Sequence, residues 1–516
     1  MAHHTAASVG ARLDRIPLSG FHRRLVLALA GMILFEWVEA YSFAFVAPVL
    51  RDQWHISLRT VGVIAGVTSL GAFAGGVAAG YLADRIGRRR TMLGFSVTYC
   101  VFAVLCAFVQ GPGQLVIART LAQFGTQGMA VCAIVVLTEF VPARARGRLQ
   151  TRKVVIGAMG IPIAAWTSYF VVPHWSWGWR LVFGIGAVGV VFAVLVWRWV
   201  PESPRWLVTQ GRTAEAEAIV AAIERASGVG AGAGMEGGAG RAPGLPDGGE
   251  GSRPEAVGEA DAADDAVGDA HAVVAADAGS PAPPAVSSAG QRRTRVAELW
   301  TGPHRRTFLV TTAMWVTGLA AYSAFNTWTP TLLEENGLEL SDTLLVSAVL
   351  ATAAPLGSLL AAPLIDRWER TTSLLVLCLI SAGLLLLFGV THARAAILVL
   401  GCLVTLLFHA STPFLQIYSA EVFPTSIRAL GSGTANALSR IVNFGGPMLI
   451  AAIYAGLGYA AVFAWIALLA GSGGVIAHRF GPRTTGRPLE ALGRTASDTP
   501  AEPTGSPQAT PPSSTM

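Results

Sequence analysis

Long apolar stretches alternate with short polar connections along most of the chain. Twelve of them are long enough to cross a bilayer, because a spanning helix needs about 20 largely apolar residues. They cover residues 25–50, 60–83, 92–110, 113–137, 152–173, 179–200, 308–330, 344–365, 372–391, 395–419, 430–455 and 459–478. Charged side chains are concentrated in the connections, as expected where lipid surrounds most of the chain. The pattern predicts an all-α membrane protein with twelve transmembrane helices.

The twelve stretches fall into two sets of six, separated by a long polar region. We therefore predict a cytoplasmic N-terminal tail (1–24), an N-terminal six-helix half (25–200), a cytoplasmic loop (201–307), a C-terminal six-helix half (308–480) and a cytoplasmic tail (481–516). Within the loop, the segment 226–290 consists mainly of Ala, Gly, Asp, Glu, Pro and Ser. Such a composition cannot bury enough apolar surface to offset its conformational entropy. We expect this linker and the C-terminal tail to be disordered.

The overall composition agrees with a membrane location. Hydrophobic residues make up 53% of the chain and charged residues 13%, whereas a soluble protein carries about 25% charge. The net charge of +6 could also indicate a nucleic-acid partner. The arginines, however, lie beside apolar stretches, which is typical of helix ends that face the cytoplasm. We expect a lipid bilayer and no nucleic acid.

Positive charge lies on one side of the predicted bundle. It comprises Arg23, Arg24, Arg85, Arg88, Arg89, Arg90, Arg144, Arg146, Arg148, Arg152, Lys153, Arg367, Arg370 and Arg428. The opposite side is acidic after the seventh stretch, where Glu334, Glu335 and Asp342 follow. Because short cytoplasmic loops carry an excess of Lys and Arg, this bias predicts a plasma (inner) membrane protein with both termini in the cytoplasm.

The two halves repeat each other at a constant offset. Asp84 and Arg85 recur as Asp366 and Arg367, 282 residues later. The same offset of 282 relates the following pairs: Arg88 and Arg370, Glu139 and Glu421, Pro142 and Pro424, Arg146 and Arg428, and Pro48 and Pro330. Two parallel six-helix halves with a central site between them form the plan of a secondary transporter.

One connection carries a family motif. Residues 80–90 read GYLADRIGRRR, which resembles the hallmark loop between helices 2 and 3 of the major facilitator superfamily. The resemblance implies that Asp84, Arg85 and Arg88 latch the two halves on the cytoplasmic side, with a worn second copy at Asp366 and Arg367. The plainer alternative is a basic loop that only fixes the topology.

A second set of motifs narrows the resemblance. Residues 201–207 read PESPRWL, and a Glu-x-x-Pro-x-x-x-Arg pattern follows the fourth and the tenth stretch. This set is similar to the signature shared by sugar porters, organic ion transporters and aromatic-acid/proton symporters. It implies cytoplasmic ion-pair networks that gate the transporter rather than contact the substrate. The residues concerned are Glu139, Arg146, Glu202, Arg205, Glu421 and Arg428.

Charged residues within the apolar stretches are the strongest functional candidates, because charge is costly in lipid. Glu36 and Glu39 lie three residues apart on one helix face, and Pro48 follows. The spacing resembles the Asp-x-x-Asp of helix 1 in aromatic-acid/proton symporters, with Glu in place of Asp. Arg119 resembles the arginine that pairs with a helix 1 carboxylate in proton-coupled relatives, and Glu39 is the closer positional match. The resemblance implies proton coupling; a static ion pair and direct substrate binding remain as alternatives.

The candidate substrate-binding residues come mainly from the C-terminal half. Arg440, seven residues before Pro447, resembles the arginine that meets the substrate carboxylate in organic anion transporters and aromatic-acid symporters. A guanidinium suits this task because its fork matches a carboxylate. In the alternative, Arg440 lies near the end of its helix and pairs with a cytoplasmic carboxylate. Further candidates are Tyr322, Asn326, Gln416 and Asn436, with Trp166, Trp328, His409 and Asn443 as weaker ones. Each could instead pack or bond between helices.

Together these residues predict a secondary active transporter. We expect a proton-coupled symporter of a small organic acid, aromatic or otherwise carboxylic, that functions as a monomer. The proton gradient would supply the energy without a cofactor.

Three other function classes were weighed against this prediction. A sugar or polyol porter is the first, although the seventh stretch lacks the paired Gln and Tyr patterns typical of sugar sites. A drug/proton exporter is the second, but the fifth stretch offers only Gly157, Gly160 and Pro162 of the exporter motif. A membrane enzyme or sensor is the third, and no spacing resembles zinc ligands, a phosphate-binding loop or a nucleophile elbow. We therefore expect neither an enzyme nor a metal site.

Overall fold

The computed structural model describes residues 2–228, 300, 304–365, 369–423 and 427–482. Twelve spans in this part of the chain are long and apolar enough to cross a membrane, which confirms the architecture predicted from the hydropathy pattern. Asp366, Arg367 and Pro424 lie outside the described residues. So do nearly all of 226–290 and of 481–516, so the disorder expected there stays a prediction.

The N-terminal half contains eleven α-helices in the described residues. They are α1 (Ala2–Arg15), α2 (Gly20–Trp54), α3 (Leu58–Ile86), α4 (Arg88–Cys106), α5 (Pro112–Phe140), α6 (Ala143–Ala158), α7 (Gly160–Val171), α8 (Gly178–Gly184), α9 (Gly189–Trp199), α10 (Pro204–Thr209) and α11 (Thr213–Ala226). The fifth span combines α6 with α7, and the sixth combines α8 with α9 through a short 3₁₀ turn.

The C-terminal half contributes one helix for each of its six spans. They are α12 (His304–Glu335), α13 (Leu340–Ile365), α14 (Arg370–Val390), α15 (Arg394–Glu421), α16 (Arg428–Leu457) and α17 (Tyr459–Phe480). In the following, the basic end is the end of the bundle where Arg88, Arg146 and Arg205 lie. The other end is called the opposite end.

Several span boundaries differ from the predicted ones, and two spans show why. The third span begins at Arg88 and ends at Cys106 instead of 92–110, because Gly87 adopts a φ of +103 and ends α3 immediately before it. The fifth span begins at Ala143 rather than at 152. Its first turns are polar, but Ala, Arg, Leu and Gln are good helix formers, so the helix continues beyond its apolar part.

The predicted N-terminal tail is in fact an amphipathic helix. Val9 and Leu13 of α1, and Ile16 directly after it, are each only 1% exposed because they join an apolar cluster that includes residues of α10 and α11. Arg12 of α1 donates from Nε and Nη2 to the carboxylate of Glu224 in α11, at 2.9 and 2.5 Å. The hydrogen bond that Arg12 donates to Glu224 raises the pKa of Arg12. The N-terminal segment is therefore fastened to the helices that follow the sixth span.

The repeat seen in the sequence has a structural counterpart. Arg88 Nε lies 3.2 Å from Glu139 Oε1 in the N-terminal half. In the C-terminal half, Arg370 Nη2 lies 3.2 Å from Glu421 Oε1, which joins the residues at the same offset. Each half therefore ties its third span to its fourth at the basic end by an equivalent ion pair.

Glycines permit close contact between the halves toward the opposite end. A Cβ at Gly62 of α3 would meet the carbonyl oxygen of Pro447 in α16 at 2.9 Å, and one at Gly66 would clash with the carbonyl of Phe444. Small residues let membrane helices approach this closely. We call this contact between α3 and α16 the glycine seam; it fixes how the halves meet around the central site.

Candidate functional site

A cavity of about 340 Å³ lies between the two halves. Its wall comes chiefly from α2, α3 and α5 on one side and from α12, α15, α16 and α17 on the other. The predicted residues that line it are Glu36, Arg119, Tyr322, Gln416, Asn436 and Arg440, with Trp328, His409 and Asn443 from the weaker set. Residues chosen from separate helices are thus brought together at one central site.

Glu39 and Arg119 form a direct ion pair at the cavity wall, to which Arg119 belongs and Glu39 does not. Arg119 Nη1 lies 2.8 Å from Glu39 Oε1, and the two side chains are 3% and 0% exposed. The same Nη1 also donates to the Glu39 carbonyl at 3.2 Å and to Ser42 Oγ at 3.1 Å. The guanidinium lies over the rings of Phe43 and Phe183 at 5.5 and 5.4 Å. The predicted pairing of Arg119 with Glu39 rather than Glu36 is therefore the one present.

Glu36 has different neighbours. It interacts electrostatically with Arg440 of α16 and with Lys153 of α6, while its Oε2 atom is buried without a hydrogen-bond partner. Arg440 likewise has a buried Nε without a partner. The alternative role for Arg440, pairing with a cytoplasmic carboxylate, is not the arrangement in the described residues, where Arg440 interacts with the intramembrane carboxylate of Glu36 in the other half.

The position of Lys153 differs from the one inferred from the sequence. The charge pattern placed it among the cytoplasmic positive charges, but its side chain is only 2% exposed. The neighbouring Arg152 is exposed. Successive residues of a helix point in directions about 100° apart, so Arg152 faces outward while Lys153 faces α2. The helical phase, rather than the local charge, therefore decides its position.

A row of contacting aromatic side chains connects the two halves beside the charged groups. The hydroxyl groups of Tyr41 in α2 and Tyr322 in α12 share a hydrogen bond, and Tyr322 Oη lies 3.2 Å from His409 Nε2. The ring of Trp37 lies 6.2 Å from that of His409. Tyr322 was predicted to stack on a substrate ring; its hydroxyl is engaged by the other half of the bundle, while its ring still lines the cavity.

Two predicted candidates lie elsewhere. Asn326 is not part of the cavity wall, because its amide donates to the carbonyl of Tyr322 one turn earlier at 2.9 Å. Trp166 in α7 donates from Nε1 to Thr352 Oγ1 in α13 at 3.1 Å, so it also links the two halves.

Several cavity residues were not predicted. Tyr41, Trp37, Gln123 and Gln127 line the wall in addition to the expected residues. Tyr41 lies five residues after Glu36, and Gln123 and Gln127 lie one and two turns after Arg119. A search for polar residues at helical spacing from the predicted charges would have found the two glutamines.

The predicted gating residues whose side chains the structure describes lie at the basic end. Arg88 Nη2 approaches Asp84 Oδ1 at 3.1 Å, and Glu202 Oε1 accepts from the backbone nitrogens of Arg89 and Ser203 at 3.0 and 3.1 Å. Arg85 lies over the ring of Tyr81 instead of pairing with a carboxylate, at 4.4 Å.

Asp14 of α1 joins two of these motifs. Its Oδ1 lies 3.8 Å from Arg146 Nη2 and 3.6 Å from Arg205 Nη2. The N-terminal helix therefore takes part in the network at the basic end, which the sequence did not indicate. Arg428 begins α16, but its side chain lies outside the described part of the structure.

An ion pair at the opposite end connects the two halves. Arg51 near the end of α2 contacts Glu335 at the end of α12, and Glu334 lies 4.0 Å away from the same guanidinium. These side chains are between 19% and 32% exposed. The pair and the glycine seam lie toward the same end of the bundle, so both hold the halves together there.

The geometry defines what the site can do. It combines carboxylates and guanidinium groups in an apolar bundle, where charge is expensive unless it is paired. Arg119 is paired with Glu39, and among the described residues both Arg119 and Arg440 have a buried Nε without a hydrogen-bond partner. Such a site can bind an anion and can exchange protons at its carboxylates.

Comparisons with known proteins agree with this arrangement. The family model of the Major Facilitator Superfamily matches residues 27–408 and 345–511. The putative metabolite transport protein YyaJ of Bacillus subtilis (strain 168) is 30% identical over 486 residues, covering 94% of this chain and 98% of the relative. The niacin transporter NiaP of Acinetobacter baylyi is 26% identical over 93% of this chain and 99% of the relative.

A solved structure shares the fold. The xylose transporter XylE from E. coli, in a partially occluded inward open conformation, superposes with a TM-score of 0.68 at 16% identity. The match covers 91% of this chain and 100% of that one. Since the family model spans both halves and a relative is 30% identical along nearly its whole length, the chain belongs to the Major Facilitator Superfamily and is a multi-pass membrane transporter, not an enzyme.

Proposed function

We propose that this chain is a proton-coupled symporter of a small organic acid, aromatic or otherwise carboxylic, that works by alternating access. The basic end would face the cytoplasm of the plasma (inner) membrane, since short cytoplasmic loops carry the excess of Lys and Arg. Both termini would then be cytoplasmic. The transporter would act as a monomer, with the proton gradient as its energy source and no cofactor.

The charge balance of the central site is the observation that carries the proposal. The charged side chains in and directly behind the cavity wall include two carboxylates, Glu36 and Glu39, and three cations, Arg119, Lys153 and Arg440. When all are ionised, one positive charge is left over. Because an uncompensated charge is costly inside the membrane, a substrate with one carboxylate would complement the site.

An aromatic acid fits the remaining wall. Trp37, Tyr41, Tyr322 and Trp328 supply aromatic surface around Arg440, and aromatic pairs are favourable in offset or edge-to-face arrangements. The name of the relative NiaP supports this substrate class, because niacin is an aromatic carboxylic acid. Gln416 and Asn436 would donate to or accept from polar substituents of the ring.

Proton coupling would use the carboxylates of the first span. Protonation of Glu39 would remove its charge from Arg119, and protonation of Glu36 would release Arg440. Each event changes which anion the arginines can bind. A proton and a substrate carboxylate would therefore enter the site as linked events.

The test is proton movement into proteoliposomes. The purified protein is reconstituted with a pH dye in the lumen, and nicotinate, 4-hydroxybenzoate, xylose or tetraphenylphosphonium is added under an imposed proton gradient. We expect luminal acidification above the rate of protein-free liposomes with the aromatic acids only. Glu39→Gln should abolish this protein-dependent signal, whereas Glu215→Gln in the surface helix α11 should not.

Each alternative predicts a different result. Acidification with xylose would support a sugar porter, and proton efflux with the lipophilic cation would support a drug/proton exporter. Flow of an acid without any associated proton movement would refute the coupling and leave Glu39 and Arg119 as a structural pair.

A further inference from the structure

A hydrogen bond between two tyrosines joins the two halves inside the central cavity. The hydroxyl groups of Tyr41 in α2 and Tyr322 in α12 are bonded to each other, and both residues belong to the cavity wall. Their rings meet edge to face, with the ring centres 6.4 Å apart. Each hydroxyl group is therefore placed to bond either its partner or a molecule in the cavity.

The same two helices meet again at the opposite end of the bundle. There, Arg51 near the end of α2 contacts Glu335 at the end of α12. Tyr41 lies ten residues before Arg51, which is about 15 Å along a helix. The tyrosine bond is therefore the inner end of a contact between the halves, and the ion pair is its outer end.

Neighbouring rings hold both tyrosines in place. The ring of Trp37 lies 6.2 Å from that of Tyr41 in the same helix. In the other half, the rings of Phe408 and His409 lie 6.2 and 5.2 Å from that of Tyr322. These contacts fix where the two hydroxyl groups lie.

A carboxylate is an acceptor that both hydroxyl groups can serve at once. Each phenol has one proton to donate, whereas an ionised carboxyl group offers about four lone-pair sites and no proton. Tyr322 can accept from His409 Nε2, 3.2 Å away, while its own proton points to the ligand. Arg440 lies in the same wall and supplies the opposite charge. Because hydrogen bonds to a charged group are stronger than those between neutral groups, an acid competes well with the bond between the tyrosines.

We propose that Tyr41 and Tyr322 bind the substrate carboxylate and give up their mutual hydrogen bond when they do so. This inference rests on the proposed function, because it assumes that an acid binds at Arg440. Acid binding exchanges one hydrogen bond between the halves for two bonds to the substrate. The contact between α2 and α12 thereby loses its inner end, which makes separation of the halves at the opposite end easier.

The exchange has a distinct signature in a double-mutant cycle. Tyr41→Phe or Tyr322→Phe removes one bond to the acid, but also the bond that the acid has to break, so part of the loss is offset. The double variant loses both bonds to the acid and has the same single bond to offset them. Its loss of affinity should therefore exceed the product of the two single losses by about three- to tenfold, the value of one neutral hydrogen bond.

The experiment is calorimetric titration of the full-length protein in detergent with nicotinate and with 4-hydroxybenzoate. The wild type, the two single variants and the double variant are compared. Each single change should weaken binding by about tenfold or less. Thermal unfolding without an acid tests the bond itself, because adding Tyr41→Phe to Tyr322→Phe removes no further bond and should not lower the apparent Tm. A further fall in Tm would contradict the bond between the hydroxyl groups.

Tyr169→Phe is the matched control. Tyr169 lies in α7, where its ring contacts that of Trp166, and it lies outside the cavity wall that the structure describes. Removing its hydroxyl group should leave the affinity for both acids unchanged. Since phenylalanine keeps the ring in every variant, differences in affinity report on the hydroxyl groups.

Each result has a definite meaning. If no variant changes the affinity, the hydroxyl groups stay bonded to each other in the complex and the inference is overturned. A double loss equal to the product of the single losses also overturns it, because the hydroxyl groups then contact the acid without exchanging a bond. If the wild type binds neither acid, the proposed function fails and the inference fails with it. Binding by the wild type with either of the first two patterns refutes the inference alone.

Discussion

Replacing Arg119 by Met should destabilise the protein more than replacing Glu39 by Gln. The two partners of this buried ion pair differ in their other contacts. Arg119 has further acceptors in the Glu39 carbonyl, Ser42 Oγ and the Ala40 carbonyl, at 3.2, 3.1 and 3.4 Å. Glu39 Oε1 accepts from Arg119 at 2.8 Å, and its Oε2 is buried without a partner. Loss of the arginine therefore leaves the carboxylate uncompensated.

The expected magnitudes follow from these contacts. Removing one partner of a buried ion pair costs about 3–5 kcal/mol, which applies to Arg119→Met. In Glu39→Gln the amide oxygen still accepts from the guanidinium, which also keeps its other acceptors, so only the counter-charge is lost and the cost should be lower, about 1–3 kcal/mol. The double variant buries neither charge. It should therefore cost less than the sum of the two single changes, by about 1–3 kcal/mol.

Thermal unfolding in detergent, followed by tryptophan fluorescence, ranks the variants by stability. Arg180→Met is the matched control, because Arg180 donates to the Ala107 carbonyl at 2.6 Å, lies over the Trp179 ring and has no carboxylate partner within the part of the chain that the structure describes. We expect the apparent Tm to fall most in Arg119→Met and less in Glu39→Gln. A Glu39→Gln variant that is less stable than Arg119→Met, or strictly additive single effects, would refute this account of the pair.

Further predictions concern the ends of the bundle. Arg51→Gln removes an ion pair that holds the halves together at the opposite end. An impermeant maleimide added at that end should therefore label a Ser69→Cys reporter in the cavity faster. Unchanged labelling would show that the ion pair does not limit access to the cavity. Gly66→Val should have the same effect, because a side chain there would clash with the Phe444 carbonyl, and slower labelling would count against it. Leu13→Asp should release α1, since loss of a buried Leu costs about 2–5 kcal/mol. Limited proteolysis near the N-terminus should then become faster, and equal rates would show that α1 is not held by this contact.

The sequence predicts the bundle well because lipid imposes a simple rule. Every backbone group in the apolar region must be satisfied within a helix, so apolar length alone locates each span. The ion pairs of Arg88 with Glu139 and of Arg370 with Glu421 were likewise visible as a repeat. Hydropathy did not reveal α1, because its apolar face is narrow and is buried by other parts of the protein rather than by lipid.

The arrangement of the central site was only partly predictable. The spacing of Glu36 and Glu39 indicates one helix face, yet residues three apart still differ by about 60° in direction. This difference directs Glu39 toward Arg119 and Glu36 toward Arg440. The sequence contains no information on which helices pack on either side of α2. The burial of Lys153 depends on the packing of α6, and therefore also escaped the prediction.

The positions of the charged pairs within the two halves also constrain the transport cycle. Glu39 and Arg119 belong to the same half, so a rigid rotation of one half against the other leaves their distance unchanged. Glu36 and Arg440 belong to different halves, and their interaction must change whenever the halves move. The Arg51 ion pair also joins the halves, but its side chains are partly exposed, and such pairs contribute only about 0–1 kcal/mol. The ion-pair part of the contact at the opposite end is thus weak, whereas in the proposed cycle the Glu39–Arg119 pair would need a proton or a competing ligand to break it. Under the proposed mechanism, rocking of the halves and release of that pair would therefore be separate events, and coupling would depend on the interaction of Glu36 with Arg440.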